Sequence, residues 1–405
     1  MTDDLGYADL SGNGRKDYKT PHLDRLALQG IKFTNAYAAA PVCTPTRTAF
    51  MTGRYPARTP VGVREPLEWS ARDSLVGLLP ETPSIAATLQ QAGYATYLVG
   101  KWHLGFGDAS TPRKNGFDYF YGFKGGGVDY ISHRSPRKGP HDFFENETPV
   151  HTKGYMTDLL VQKAVELISK SQSKPFFLSL MFNAPHWPWQ APGDTPYADT
   201  MPWPAGGSPA IYAAMMQSLD DAVGKLMTAL DEQKLSEKTI IIFTSDNGGE
   251  RFSDMGPYKG RKMQLWEGGI RVPAFVRWSG RIKPNTTTGQ VATTMDWSAT
   301  ILALAGAKQH AAFPSDGIDL SNVLLNQQKE TDRTLYWRIY QRIDHKAMRD
   351  GKWKYLRDEK GNEYLFDLST DPSETINLQQ KEETVFKKLK EKYNTWETTI
   401  LKPFR

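Results

Sequence analysis

Two runs of almost uninterrupted apolar residues, at positions 176–182 and 239–244, constrain the fold most strongly. Each run has the length of a β-strand and is apolar on both sides, as in sheets that are buried on both faces. Helix signals at 20–30, 155–171 and 211–232 alternate with the strand signals. We therefore predict an α/β fold, with a large mixed, mostly parallel sheet flanked by helices.

The C-terminal part of the chain has a different sequence pattern. Short alternating runs are separated by Asp350-Gly351 and Lys360-Gly361, and Asp-Gly between such runs is typical of a β-hairpin. A helical pattern follows at 381–396. We predict a large α/β domain over residues 1–329 and a smaller unit over residues 330–405, made of an antiparallel sheet and a packed helix.

Composition narrows the classes of partner. The 405 residues carry a net charge of +5, and the positive residues are spread along the chain. This argues against nucleic-acid binding and favours a small anionic substrate. No apolar run approaches the roughly 18 residues of a membrane-spanning helix. Because Cys43 is the only cysteine, an intramolecular disulfide is excluded.

Polar side chains collect where the predicted strands end. In open parallel sheets ligands bind at the carboxyl ends of the strands, so we expect these side chains to share one site. Carboxylate and amide oxygens suit Ca²⁺ or Mg²⁺ better than zinc, and histidines can act as acid and base. Taken alone, the lysine could be a surface cation, either histidine could be a structural residue, and the Asp-Asn pair could belong to a turn. The side chains are Lys101, His103, His186, Asp246 and Asn247.

The cysteine precedes a short predicted helix. Pro45 suits the first turn of a helix and Gly53 suits its end, so we predict a helix over residues 46–51. Cys43 would lie just before the N-terminus, where partial positive charge favours anions. Arg47, one turn further on, would point back toward it. A lone cysteine is most often a small buried apolar residue, and its surroundings decide between these interpretations.

The segment Cys43-Thr44-Pro45-Thr46-Arg47, followed by Thr52-Gly53-Arg54, resembles the signature of the sulfatases, a family of the alkaline phosphatase superfamily. The stretches at 116–122 and 129–133 are most similar to the arylsulfatase B and N-acetylgalactosamine-sulfatase branch, whose members desulfate sugars as well as aryl esters. The resemblance covers nearly the whole chain. Its further blocks follow in the family's order, beginning at Thr2, Gly100, Ala184, Ser245, Lys262 and Ala347.

The resemblance implies hydrolysis of sulfate monoesters, aryl or carbohydrate, in the domain over residues 1–329. In the family a maturation enzyme oxidises the cysteine to formylglycine, so Cys43 would carry the nucleophile. One Ca²⁺ per chain would be bound there. Its implied ligands are Asp3, Asp4, the modified Cys43, Asp246 and Asn247.

The resemblance also implies roles for the basic residues. Arg47 would stabilise the modified side chain, and Lys101 and Lys262 would bind the sulfate group. His186, with Lys262, would protonate the leaving alcohol, and His103 would accept a proton from a hydroxyl at position 43. Lys262 is preferred to Lys259 because it has the family's spacing to Glu267-Gly268-Gly269.

The substrate contacts are the least determined part of the site. We predict an aromatic wall at Trp187 and Trp189, since rings beside His186 would suit stacking of a sugar or an aryl group. His133 is a further expected contact. Loops predicted over 106–154 and 187–209 are expected to select the substrate.

The start of the sequence departs from the family pattern. Family members have an apolar strand directly before the Asp-Asp pair, usually behind a signal peptide, and Met1 falls where that strand would end. We therefore expect a missing first strand and a loosened hold on Asp3 and Asp4. The family predicts a periplasmic or secreted location if the natural chain is longer.

Two alternatives remain open at this point. A phosphonate monoester or phosphodiester hydrolase of the same superfamily would share the nucleophile and the metal. A catalytically inactive homologue that binds sulfated glycans would share the fold.

Overall fold

The computed structural model describes residues 1–70, 73–171, 174–197, 200–326, 330–340 and 344–402. Within them, the α-helices are α1 (Pro21–Leu28), α2 (Cys43–Thr52), α3 (Ile85–Gln91), α4 (Met156–Lys170), α5 (Pro209–Glu232), α6 (Glu267–Ile270), α7 (Thr294–Leu304), α8 (Ser321–Asn326) and α9 (Glu383–Glu397). The strands are β1 (Ile31–Phe33), β2 (Ala36–Tyr37), β3 (Ala95–Lys101), β4 (Tyr119–Phe123), β5 (Phe144–Glu145), β6 (Thr148–Pro149), β7 (Phe176–Met181), β8 (Ile241–Thr244), β9 (Ala274–Arg277), β10 (Thr286–Thr288), β11 (Ala292–Thr293), β12 (Thr334–Ile339), β13 (His345–Asp350), β14 (Trp353–Arg357) and β15 (Glu363–Asp367). Among the described residues no helix is both long and apolar enough to cross a bilayer.

The predicted α/β fold is confirmed. One mixed sheet has the strand order β6-β5-β4-β3-β7, with β3 parallel to both β4 and β7. A second has the order β10-β1-β9-β8, in which β9 runs antiparallel to its neighbours. Helices cover both faces of β3. Successive side chains of a strand point to opposite sides, so Leu98 and Val99 show what packs on each face. Leu98 packs into the cluster that includes α2, α3 and α7, and Val99 packs into the cluster that includes α4 and α5.

The first residues of the sequence join the two sheets. The Phe182 N–H donates to the Met1 carbonyl at 3.0 Å, and the Thr2 N–H donates to the Thr244 carbonyl at 3.0 Å. The Asp3 N–H donates in turn to the Ala184 carbonyl at 3.2 Å. The expectation of a loosened Asp-Asp pair is therefore wrong, because backbone bonds to the ends of β7 and β8 hold this segment.

Two local predictions need correction. Residues 106–154 are not loops throughout, since β4 lies inside the sheet and β5 and β6 form a hairpin beside it. β4 shows no alternation of polar and apolar residues because four of its five residues are buried. The helix predicted from residue 46 begins at Cys43, with Val42 as its N-cap, so the cysteine lies in the first turn. Gly53 ends this helix in the left-handed conformation, as expected.

The predicted C-terminal antiparallel sheet is also confirmed. Strands β12 to β15 pair in chain order, and α9 contacts β13 and β14. A buried ion pair ties this sheet to α6, since Lys354 Nζ of β14 lies 2.9 Å from Glu267 Oε1 of α6. The same ammonium group lies 2.8 Å from Glu374 Oε1, in the segment that follows β15. The predicted domain boundary lies between residues 329 and 330. Residues 327–329, directly before it, lie outside the described residues, so the division into two domains stays a prediction.

Candidate active site

The residues predicted from the strand ends do meet at one edge of the sheets. Lys101 is the last residue of β3, His186 follows β7, and Asp246 follows β8. Asp3 and Asp4 come from the segment that joins the two sheets, and α2 brings Cys43 and Arg47 to the same place by its N-terminal turns. The arrangement is that of a ligand site at the carboxyl ends of strands.

Three buried carboxylates form the centre of the site. Asp3, Asp4 and Asp246 are each at most 2% exposed. Cys43 Sγ lies 3.7 Å from Asp3 Oδ1. Ligand atoms of Asp3, Asp4, Cys43 and His186 all lie within 4.8 Å of one another. Burial raises the pKa of the Cys43 thiol to about 12, so the unmodified side chain is uncharged at neutral pH.

Cations accompany the carboxylates. Lys101 Nζ lies 2.5 Å from Asp3 Oδ2, and Lys262 Nζ lies 2.7 Å from Asp4 Oδ2. Burial alone would raise the pKa of Asp3, but Lys101 and the neighbouring cations hold it below its usual value. Likewise burial would lower the pKa of Lys262, but the charge of Asp4 raises it well above the ordinary value. Charge balance therefore favours the ionised forms of Asp3 and Lys262 in a buried site.

Arg47 bridges two of the carboxylates. Its Nη2 and Nε atoms lie 2.9 Å and 3.1 Å from Asp246 Oδ2, and Nη2 lies 3.6 Å from Asp3 Oδ2. Burial and the charge of Asp3 nevertheless raise the pKa of Asp246. The nearby cations of the protein therefore do not offset the effect of burial and of Asp3 on the pKa of this carboxylate.

The oxygen donors fit a hard divalent cation. Asn247 Nδ2 donates to Asp4 Oδ1 at 2.7 Å, which fixes the orientation of the amide. Asn247 Oδ1 is buried and has no hydrogen-bond partner among the described residues. A buried amide oxygen without a partner is costly unless it accepts a hydrogen bond from a ligand or binds a cation. Together with three carboxylates it offers the donor set that Ca²⁺ prefers.

His103 is held in one tautomer. Its Nε2 lies 2.8 Å from the Leu67 carbonyl, and because a carbonyl can only accept, Nε2 carries the hydrogen. Its Nδ1 is buried and unpaired within the described part of the chain. Burial, with Lys101 beside it, lowers the pKa of His103 well below the usual value. The ring is therefore neutral and presents a free acceptor nitrogen.

Two of the basic residues of the site are partly exposed to solvent. His186 and Lys262 each keep 13% of the side chain exposed, whereas Arg47, Lys101 and His103 are at most 2% exposed. His186 Nδ1 donates to the Trp187 carbonyl, which turns Nε2 toward Asp4 Oδ2 at 3.6 Å. Among these five basic residues, His186 and Lys262 are therefore the ones that solvent reaches.

A run of glycines that sequence analysis did not assign lies against both histidines. A Cβ atom on Gly126 would lie 2.8 Å from His103 Cε1, and one on Gly127 would lie 3.1 Å from His186 Cε1. The backbone can approach the rings this closely because these positions have no side chain. The sequence signal was the triplet Gly125-Gly126-Gly127 in a segment predicted to be loop.

The predicted aromatic wall is wrong. Trp187 and Trp189 are 5% and 1% exposed and belong to the core, so neither offers a free ring face. His133, predicted to contact substrate, is 2% exposed and its Nε2 is hydrogen bonded to the Gly154 carbonyl at 3.0 Å. Lys259 lies with its Nζ 3.6 Å from the centre of the Trp266 ring, which leaves Lys262 as the lysine beside Asp4.

Comparison with known proteins shows the same family along the chain. The model of the Sulfatase family matches residues 1–307, and that of the N-sulphoglucosamine sulphohydrolase C-terminal region matches residues 255–399. The N-acetylgalactosamine-6-sulfatase of Canis lupus familiaris is 32% identical over 358 residues, which cover 83% of this chain and 67% of that protein. Arylsulfatase J of Mus musculus is 29% identical over an alignment of 459 residues, covering 99% and 75%.

Solved structures agree with this assignment. The crystal structure of Ps i-CgsB in complex with k-i-k-neocarrahexaose has a TM-score of 0.89 and 30% identity, covering 100% of this chain and 92% of that one. The phosphonate monoester hydrolase SpPMH from Silicibacter pomeroyi, at 18% identity and a TM-score of 0.69, shares the fold. The chain belongs to the sulfatase family, and it is an arylsulfatase-type enzyme that hydrolyses sulfate esters.

Proposed function

We propose that the protein removes sulfate from sulfated sugars, using a formylglycine formed from Cys43 by a maturation enzyme and one bound Ca²⁺. The observation that carries this proposal is the buried meeting of Cys43 with three carboxylates and three cations at the strand ends. The substrate class is supported by two relatives, one named for N-acetylgalactosamine 6-sulfate and one solved with a neocarrahexaose.

The proposed groups divide the chemistry between them. Asp3, Asp4, Asp246 and Asn247 would hold the ion, with position 43 as a further ligand. When bound, the ion would neutralise sulfate oxygens, and the modified side chain would supply a hydroxyl nucleophile. A sulfate monoester is anionic and a poor electrophile, so catalysis depends on positive charge fixed in advance around the sulfate oxygens.

The basic side chains supply that fixed charge. Lys101 and Lys262 each contact a different carboxylate of the cluster, Asp3 and Asp4 respectively. Lys262 retains its proton because Asp4 raises its pKa, so it binds sulfate as an ammonium group. Arg47, bonded to Asp246, orients the side chain at position 43 from within α2.

The histidines are assigned to proton transfer. His103 is neutral and its Nδ1 has no partner among the described residues, so it can accept the proton of a hydroxyl at position 43. His186 and Lys262 are the partly exposed members of the site, and we assign protonation of the departing oxygen to this pair. Lys262 is the member that holds its proton, because burial lowers the pKa of His186 whereas the charge of Asp4 raises the pKa of Lys262. His103 would thus accept a proton in one step, and His186 with Lys262 would donate one in another.

Parallel assays test the reaction class. We expect kcat/KM for 4-nitrophenyl sulfate to exceed that for bis(4-nitrophenyl) phosphate at least about a hundredfold. The reason is that a diester must place a second substituent where Arg47, Lys101 and Lys262 enclose the non-bridging oxygens. Both rates are measured on one preparation, with the Cys43→Ala protein as the background. Faster turnover of the phosphate diester would instead assign the chain to the phosphodiesterases of the superfamily.

Binding without turnover would support the inactive homologue. That outcome requires a sulfated sugar that binds to protein carrying formylglycine at position 43, with no release of sulfate. The calcium ligands and the two histidines would then be intact without catalysing the reaction.

A further inference from the structure

Two aromatic rings stack next to the glycine segment that contacts both histidines. The rings of Trp69 and Phe106 lie 3.9 Å apart at an interplanar angle of 23°. Trp69 is 44% exposed, unlike the buried Trp187 and Trp189, and Phe106 is half-buried. Because each ring covers one face of the other, the exposed area of Trp69 includes its outer face. We call this pair the Trp69–Phe106 platform.

The platform is attached to the catalytic residues through three short connections. Trp69 lies two residues after Leu67, whose carbonyl fixes His103, and Phe106 lies three residues after His103. The third is Gly125, since a Cβ atom there would lie 2.6 Å from Trp69 Nε1. The next two glycines touch the rings of His103 and His186, so one continuous segment runs from the platform to both histidines.

The backbone of this segment is held rigidly. Asp142 is fully buried and accepts the N–H groups of Lys124 and Gly125, each at 2.8 Å, on its two carboxylate oxygens. The His103 N–H donates to the Lys124 carbonyl at 3.2 Å. The platform therefore has a fixed position relative to the side of the site where His186 and Lys262 reach solvent.

We propose that the Trp69–Phe106 platform binds the pyranose ring of the alcohol that carries the sulfate group. A pyranose presents a face of C–H groups that packs on an aromatic ring, and an exposed indole offers a large rigid face for it. The ring must lie on the side of the site where the alcohol leaves, and the glycine segment links the platform to that side. The proposal rests on the proposed function, because it assumes a sulfated sugar as the substrate.

Binding of two probes that differ in the ring tests the platform. The probes are N-acetylgalactosamine 6-sulfate and inorganic sulfate, titrated calorimetrically in the presence of Ca²⁺. The protein carries Cys43→Ala to prevent turnover. We expect Trp69→Ala to raise the Kd of the sulfated sugar about tenfold and to leave the Kd of inorganic sulfate within about twofold. Trp69→Phe keeps an aromatic face and should restore most of the affinity.

Trp278→Ala is the matched control. Trp278 follows β9, which is antiparallel to β8, so it lies at the sheet edge opposite Asp246. Its removal should change neither Kd. Equal loss of both probes in Trp69→Ala, or no loss of either, would overturn the platform. A parent protein that binds inorganic sulfate but not the sugar would overturn it too.

The outcomes separate the two proposals. Sulfate-ester turnover by the parent enzyme, together with an unchanged Kd in Trp69→Ala, would remove the platform and leave the proposed function standing. Absence of turnover, with the sugar bound and its Kd raised in Trp69→Ala, would remove the catalytic proposal and leave the platform.

Discussion

Replacing Cys43 by serine is expected to lower kcat/KM for a sulfate monoester at least about 10⁴-fold while the fold is retained. Serine is close in size to cysteine, and the side chain is packed in a buried cluster that includes Val42 and Trp337. It brings a single hydroxyl, however, where the proposed chemistry needs two on one carbon. The loss should therefore be one of catalysis and not of stability.

The measurement combines steady-state kinetics with thermal unfolding. Thr48→Ser is the matched control, because it lies one turn further along α2 and keeps the hydroxyl that donates to the Thr44 carbonyl at 2.8 Å. We expect the control to retain activity within about threefold and both variants to unfold within a few degrees of the parent. Serine protein that keeps a tenth of the parental rate would contradict the assignment of the nucleophile to position 43.

Replacing Asp246 by asparagine is expected to weaken the apparent affinity for Ca²⁺ at least about a hundredfold and to lower activity in parallel. The substitution preserves shape but removes a negative oxygen donor from the centre of the site. It also takes away the carboxylate that Arg47 contacts through both Nε and Nη2. A buried guanidinium that loses its partner is costly, so some loss of stability should accompany the loss of metal binding.

Calcium titration of chelator-treated protein, followed by activity and by calorimetry, measures this effect. The control is Asp17→Asn, which removes a half-exposed carboxylate that is also paired with an arginine, Arg15. An exposed pair of this kind contributes little, so the control should bind Ca²⁺ like the parent. Asp246→Asn protein that binds Ca²⁺ with parental affinity would show that the acidic cluster is not the metal site.

The meeting of the polar residues could be predicted from the sequence because its causes are local. Runs such as 176–182 identify buried strands, and the residues that follow them must lie at the carboxyl edge. Asp3 and Asp4 illustrate the limit of this reasoning. The Asp3 N–H donates to the Ala184 carbonyl, and the Asp4 N–H donates to the Asp246 side chain. Both acceptors lie far away in sequence, so the firm attachment of Asp3 and Asp4 could be seen only in the fold.

The substrate side of the site was predicted poorly for a related reason. Trp187 and Trp189 follow His186 closely in sequence, but distant residues bury them. Trp187 Nε1 donates to the Ala205 carbonyl, and the Trp189 ring packs against Phe252. Trp69 lies in a stretch without periodicity, and its position depends on stacking with Phe106. Exposure of a ring is a property of tertiary packing, which sequence pattern does not determine.

We propose that the active enzyme carries formylglycine in place of Cys43. Mass spectrometry of the peptide that contains position 43, taken from a preparation that releases sulfate, tests it directly. We expect a peptide in which an aldehyde oxygen has replaced the thiol sulfur, in a proportion that follows specific activity across preparations. Active enzyme in which every such peptide retains the intact thiol would contradict it.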